Sequence, residues 1–415
     1  MSAPFRVAAA PAPARATRQA AAPRAAAVDA AAPRVVDVPT PFRPVQDEAT
    51  FFATMKGLVD AGKFPAKLVP LWEDFYNNYK TAVVGSGLEG RDEAFVARVQ
   101  ASIADVVVGQ FVAPYEFPSY HERILAPYDY YQFGQTYVGG LIDFASSFVG
   151  GVDAFRAMEA QLARGENVVV LANHQTEADP AVWAHMLEKL CPTLATDVIY
   201  VAGDRVVSDP MCKPFSMGRN LLCVHSKKHM NDDPETAPAK QKQNRRTLVT
   251  MGKMLNEGGK LIWIAPAGGR DRPVVGAGPD GTDVWTPAAF DPASVGLMTK
   301  LASSSKAPTH LYPLAMVSWA VMPPPPALES ALGERRLTNF SGVGVSACPE
   351  LDLAALAAAS PGAGADADAF VKHVSDHVFE EVTREYKELE AAIEDYDGAR
   401  AKNASTGKFV QPWAA

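Results

Sequence analysis

The stretch that most constrains this 415-residue chain runs from residue 168 to residue 180. Val168-Val169-Val170-Leu171-Ala172 is apolar without alternation, which reads as a strand buried on both faces. It passes directly into the polar turn Asn173-His174-Gln175-Thr176-Glu177-Ala178, and that turn ends in Asp179-Pro180. An Asp-Pro pair marks a helix start, with Asp179 expected at the N-cap and Pro180 at the first helical position. His174 is therefore expected at a strand's carboxyl end, where open α/β sheets place their ligands. The five-residue separation lets the turn fold Asp179 back onto one imidazole nitrogen, which leaves the other as a base. The plainer alternative is that Asp179 only caps its helix.

This strand-turn-helix unit is one of several. Apolar β-branched runs at 198–201, 260–264 and 311–317 are separated by helix-period segments at 180–190, 241–256 and 293–303. The alternation predicts an α/β domain over residues 126–400 with a mixed sheet covered by helices. Residues 366–392 read as one long amphipathic helix, and 401–415 as a C-terminal tail. Ahead of the α/β part, residues 37–125 show helical spacing through Phe51, Met55, Leu58 and Val59. A glycine-containing loop at 85–90 breaks that spacing, and a second helix is expected at 94–108, so a small helical bundle domain is expected here. Residues 1–36 carry five arginines against one acid, Asp29, in an Ala/Pro background, as an organelle transit peptide does; a disordered linker has similar composition.

Composition removes some functions. A net charge of −8 argues against bulk nucleic-acid binding, so any anion site must be a local cluster. The four cysteines show no paired spacing and read as reduced packing residues. Among apolar runs, 311–322 contains Pro313 and is closed by a proline run, too short for the ~20 residues of a membrane span. No transmembrane segment is expected, and any membrane contact would be peripheral. His174 and His185 make no zinc-binding pair, and neither a GxSxG elbow nor a P-loop is present. Gly276-Ala277-Gly278-Pro279-Asp280-Gly281 fits a dinucleotide fingerprint only formally, since no strand feeds it and Pro279 blocks the helix. No cofactor and no metal are expected.

Two further blocks supply positive charge. Lys227-Lys228-His229 follows a strand-like segment, and the strand 260–264 enters Ala265-Pro266-Ala267-Gly268-Gly269-Arg270-Asp271-Arg272-Pro273. Two arginines two residues apart in an extended loop can point the same way and fork onto phosphate oxygens. The bland alternatives are a solvated charge run and a surface turn with Asp271 neutralising its neighbours.

Taken together, NHQTEADP, YVAGDRVVSDPMCKPFSMGRNLLCVHSKKHM, LIWIAPAGGRDRP and VWTPAAFDP resemble the soluble plastidial glycerol-3-phosphate acyltransferases of plants and green algae, in the same order and over most of the chain after residue 36. The resemblance implies a helical domain followed by an α/β domain, and acyl transfer from an acyl carrier protein thioester to the sn-1 hydroxyl of glycerol 3-phosphate in the plastid stroma. It makes His174 and Asp179 the catalytic pair, and Lys228, His229, Arg270 and Arg272 the substrate-binding set. Ala267 replaces an expected serine, and the loop 274–282 looks longer than in plant relatives. Acyl carrier protein is acidic, so Lys240, Lys242, Arg245 and Arg246 are a candidate docking stretch. The competing readings are a lysophosphatidate acyltransferase, a thioester hydrolase, and a non-catalytic acyl or carrier-protein binding module.

Overall fold

A computed structural model describes residues 40–225, 230, 234–325, 335–360 and 367–414. The arginine-rich segment 1–36 lies outside them. Among the described residues the sheet has nine strands: β1 (Tyr120–His121), β2 (Phe148–Gly150), β3 (Asn167–Ala172), β4 (Ile199–Ala202), β5 (Asn220–Cys223), β6 (Leu261–Ile264), β7 (Thr309–Val317), β8 (Gly344–Ala347) and β9 (Phe409–Val410). Their order across the sheet is β1-β5-β4-β6-β3-β7-β8-β2-β9. The central five, β5 to β7, are parallel. β1 and β8 run antiparallel to their neighbours β5 and β7, and β9 antiparallel to β2, so the sheet is mixed as expected.

The central position of β3 explains its composition. All six residues are buried, with Val168, Val170 and Ala172 in one apolar layer and Val169 and Leu171 in the other. The first layer continues into the N-terminal helices Glu48–Asp60, Val69–Gly85 and Glu93–Val112. Tyr79 stacks on Tyr137 and donates its hydroxyl hydrogen to the Tyr137 carbonyl, which joins the helical layer to helix Tyr130–Gly139. Asp47 and Asp92 start two of these helices by accepting the backbone N–H of Thr50 and Phe95. The second layer carries helices Ala237–Glu257, Pro292–Ser304 and Ala367–Glu394.

Helix Glu93–Val112, rather than the 311–322 run, is the described segment long and apolar enough to cross a membrane. Thirteen of its 20 residues are buried in the protein core, which accounts for its apolar composition. The 311–322 run instead forms most of β7 and a short 3-10 turn, Trp319–Val321. The expected tail beyond residue 400 is folded: helix Tyr396–Thr406 leads into β9, and the Trp413 indole N–H donates to the Phe144 carbonyl.

Candidate active site

The parallel strands all end on one edge of the sheet, and the turns that follow β3, β6 and β7 meet there. The turn after β3 uses each polar residue for a separate attachment. Asn173 accepts the Met316 N–H and donates to the Met316 carbonyl and to Asp271 Oδ2. Gln175 Oε1 accepts the N–H groups of Ser318 and Trp319, just past β7, while its amide donates to the Tyr386 hydroxyl. Thr176 Oγ1 donates to the Met322 carbonyl. Buried polar atoms need such partners, so these side chains fix the turn's shape.

That shape aims Asp179 at His174. Asp179 Oδ2 lies 2.7 Å from His174 Nδ1 and accepts the Gln175 N–H at 2.8 Å. Asp179 Oδ1 accepts the Thr176 N–H at 3.2 Å and the Ser318 hydroxyl at 2.6 Å. The carboxylate thus accepts four hydrogen bonds, close to its full capacity. The N-cap expectation is corrected: helix Asp179–Leu187 has Ala178 at its N-cap, and Asp179 is its first residue. Its carboxylate turns back over the preceding turn instead of capping forward, because those N–H groups and the imidazole lie on that side. With Nδ1 donating to Asp179, a neutral imidazole carries its lone pair on Nε2. The ring stands edge-on to Trp263 of β6, with centroids 5.8 Å apart and planes at 83°. The imidazole is about a quarter exposed, whereas Asp179 is buried.

The loop after β6 is held against His174 by its backbone, since the Asp271 N–H donates to the His174 carbonyl at 2.6 Å. Asp271 is fully buried and accepts from Asn173 and from the Ala288 N–H, so it serves as an internal fastener and not as a surface counter-charge. Burial pushes its carboxyl up to about 6. The flanking arginines take different roles. Arg272 donates Nη1 hydrogens to the carbonyls of Arg270 and Asp271, while Arg270 reaches Glu177 at 3.6 Å. Lys228 and His229, the other two expected substrate-binding residues, lie outside the described residues. They follow β5, whose carboxyl end lies on the same edge.

Three participants have no local signature in the sequence. Ser318 is a single serine past a strand. Glu177 sits inside the His-Asp turn, and Arg336 pairs with it at 3.0 Å and with Asp209 at 3.1 Å. Burial works against the Glu177 charge, yet Arg336 and then Arg270 outweigh it and hold the carboxyl below its ordinary range. Asn173 and Gln175 were likewise not singled out by the sequence; the signal that could have found them is that polar residues in a tight turn after a buried strand must be bonded.

Fold and site define an acyltransferase: a family model described as acyltransferase matches residues 155–317, which span β3 to the end of β7. A second, described as the N-terminal part of glycerol-3-phosphate acyltransferase, matches residues 40–115, the helical layer. The chain is 41% identical over 372 residues to chloroplastic glycerol-3-phosphate acyltransferase of Arabidopsis thaliana, covering 90% of this chain and 79% of the relative. The Pisum sativum enzyme of the same name is 41% identical with the same coverage. That of Spinacia oleracea is 40% identical, over 90% of this chain and 77% of the relative. The chain belongs to the glycerol-3-phosphate acyltransferase family.

Proposed function

We propose that this enzyme transfers a fatty acyl group from an acyl carrier protein thioester to the sn-1 hydroxyl of glycerol 3-phosphate, with His174 as general base. The observation that carries the reading is the 2.7 Å Asp179–His174 contact on the edge where the Arg270–Arg272 loop is hydrogen-bonded to the His174 backbone. The acceptor hydroxyl attacks the thioester carbonyl carbon while Nε2 of His174 takes its proton. The tetrahedral intermediate then expels the carrier's sulfur, the imidazolium returns the proton to that thiolate, and lysophosphatidate and free carrier thiol leave. Asp179 orients the ring and stabilises the imidazolium without taking the proton. A thioester is already activated, so orientation of the alcohol supplies much of the acceleration. Arg270 and Arg272, together with Lys228 and His229, grip the phosphate that provides this orientation.

The donor reading draws support from helix Ala237–Glu257. Its 21 residues span about 31 Å. Thr247 bonds to the carbonyl of Cys223, the last residue of β5, and Asn244 bonds to both backbone groups of His225, two residues further on, so the part of the helix before Thr247 overhangs the carboxyl end of that strand. Lys240, Lys242, Arg245 and Arg246 all lie on this overhang, the last three exposed, and no acid occurs on the helix before Glu257. A basic rim beside the site suits an acidic carrier. The chloroplastic relatives support a plastid location, and we assign the enzyme to the stroma. We also assign residues 37–125 to a helical domain and 126–400 to the catalytic domain.

The test is an assay of the full chain with acyl carrier protein and CoA thioesters, each with glycerol 3-phosphate, with lysophosphatidate, or with no acceptor. Product only with glycerol 3-phosphate, acylated at sn-1, is expected. Acceptor-independent thiol release would mean a hydrolase, preference for lysophosphatidate a different transferase, and no turnover a binding module.

A further inference from the structure

We propose that Arg336 is a positioning residue for acceptor binding, which occupies the Glu177 carboxylate and so keeps that carboxylate from drawing Arg270 away from the substrate's phosphate. The inference rests on the reading that Arg270 grips that phosphate. It starts from an asymmetry: Glu177 holds Arg336 Nε at 3.0 Å through one oxygen but Arg270 only at 3.6 Å through the other. All three side chains are largely buried, and with Thr176, Met322 and Arg335 they line one small recess beside the His174 turn.

A carboxylate this buried must be compensated by a cation. Arg336 does so with a fork divided between partners: Nε faces Glu177, and Nη2 reaches Asp209 at 3.1 Å and Cys212 Sγ at 3.1 Å. A lysine, with one point charge, cannot serve these directions together. If Arg336 is weakened, Arg270 is, among the described residues, the other cation within 4 Å of Glu177. The 3.6 Å approach then closes into a full ion pair, and the guanidinium that should meet the phosphate is turned onto the protein. Arg336 acts through Arg270 and need not touch substrate.

The experiment is steady-state kinetics on the full-chain enzyme at saturating acyl donor with glycerol 3-phosphate varied, melting curves confirming that each variant is folded. Arg336→Lys should raise the glycerol 3-phosphate KM roughly tenfold, with a smaller effect on kcat. Adding Glu177→Gln should return the KM to within roughly twofold of the parent, because the competing carboxylate is gone. Glu177→Gln alone should not raise the KM. A role in folding alone would give no such suppression. If Arg270→Ala raises the KM while Arg336→Lys leaves it unchanged, or if Glu177→Gln fails to suppress, the positioning role is wrong and the phosphate grip stands. If Arg270→Ala leaves the KM unchanged, the grip itself is wrong and the inference falls with it.

Discussion

At the scale of single residues, the site depends on the bonded side chains of one turn, Asn173, Gln175, Thr176 and Asp179, which fix where His174 stands. His174→Ala should lower kcat by roughly a thousandfold, the usual worth of a positioned base, with the melting temperature little changed because the imidazole is partly exposed. Asp271 gives a pH-dependent signature. Its native carboxyl titrates near 6 because it is buried, against an ordinary value of 3.8. Between these values the folded chain holds a proton that the unfolded chain has lost, so this group's contribution to stability falls as pH rises from about 4 to about 6. The change is on the order of 3 kcal/mol. Asp271→Asn should remove that slope, seen as a gap in unfolding free energy between variant and parent that drifts in the variant's favour across the window and levels off above it. A gap that stays flat from pH 4 to 7 would contradict the buried, raised carboxyl.

At the scale of elements, two predictions concern how strands and helices are joined. Gly151 has φ +67° between β2 and helix Val152–Ala163, and a Cβ there would strike the Ala347 carbonyl at the end of β8. Gly151→Ala should cost upward of about 2 kcal/mol in chemical denaturation. Reversing charge at Lys242, Arg245 and Arg246 on the overhanging helix should raise the KM for acyl carrier protein thioesters at low salt and leave that for acyl-CoA nearly unchanged; equal effects would remove the docking role. The elements also show what a sequence makes legible. β3, β6 and β7 were readable because a strand buried on both faces must be a continuous apolar run, and helix Ala367–Glu394 because its one buried face repeats at helical spacing. β1 and β9 have two residues each and β2 three, too few for any period to show, and they exist only because the sheet offers an edge or a slot. The His174–Asp179 pair was legible because both members lie in one turn. The second anchor of the Asp179 carboxylate, the Ser318 hydroxyl, was not, since it comes from 139 residues away. Arg336 was invisible for the same reason: its partners come from the turn at 177 and the helical loop at 209.

At the scale of the whole molecule, one apolar layer runs from the N-terminal helices through helix Tyr130–Gly139 to the face of β3 that carries Val168 and Val170. The helical part covers that face of the sheet, and its own buried side chains belong to the same core. Calorimetry of the full chain should therefore show the helical and α/β parts melting together; a separate early transition assigned to residues 40–115 would show two independent cores. The parallel centre of the sheet does the remaining work, by bringing the ends of β3, β6 and β7 to one edge so that a base and a set of cations meet over the same acceptor. That meeting is tested most directly by comparing glycerol 3-phosphate with glycerol as acceptor in the parent, in Arg270→Ala/Arg272→Ala and in His174→Ala. The parent should favour the phosphorylated acceptor strongly, the double variant should lose most of that preference while still acylating glycerol, and His174→Ala should be slowed roughly a thousandfold with either acceptor. A double variant that keeps the full preference for glycerol 3-phosphate would contradict the account.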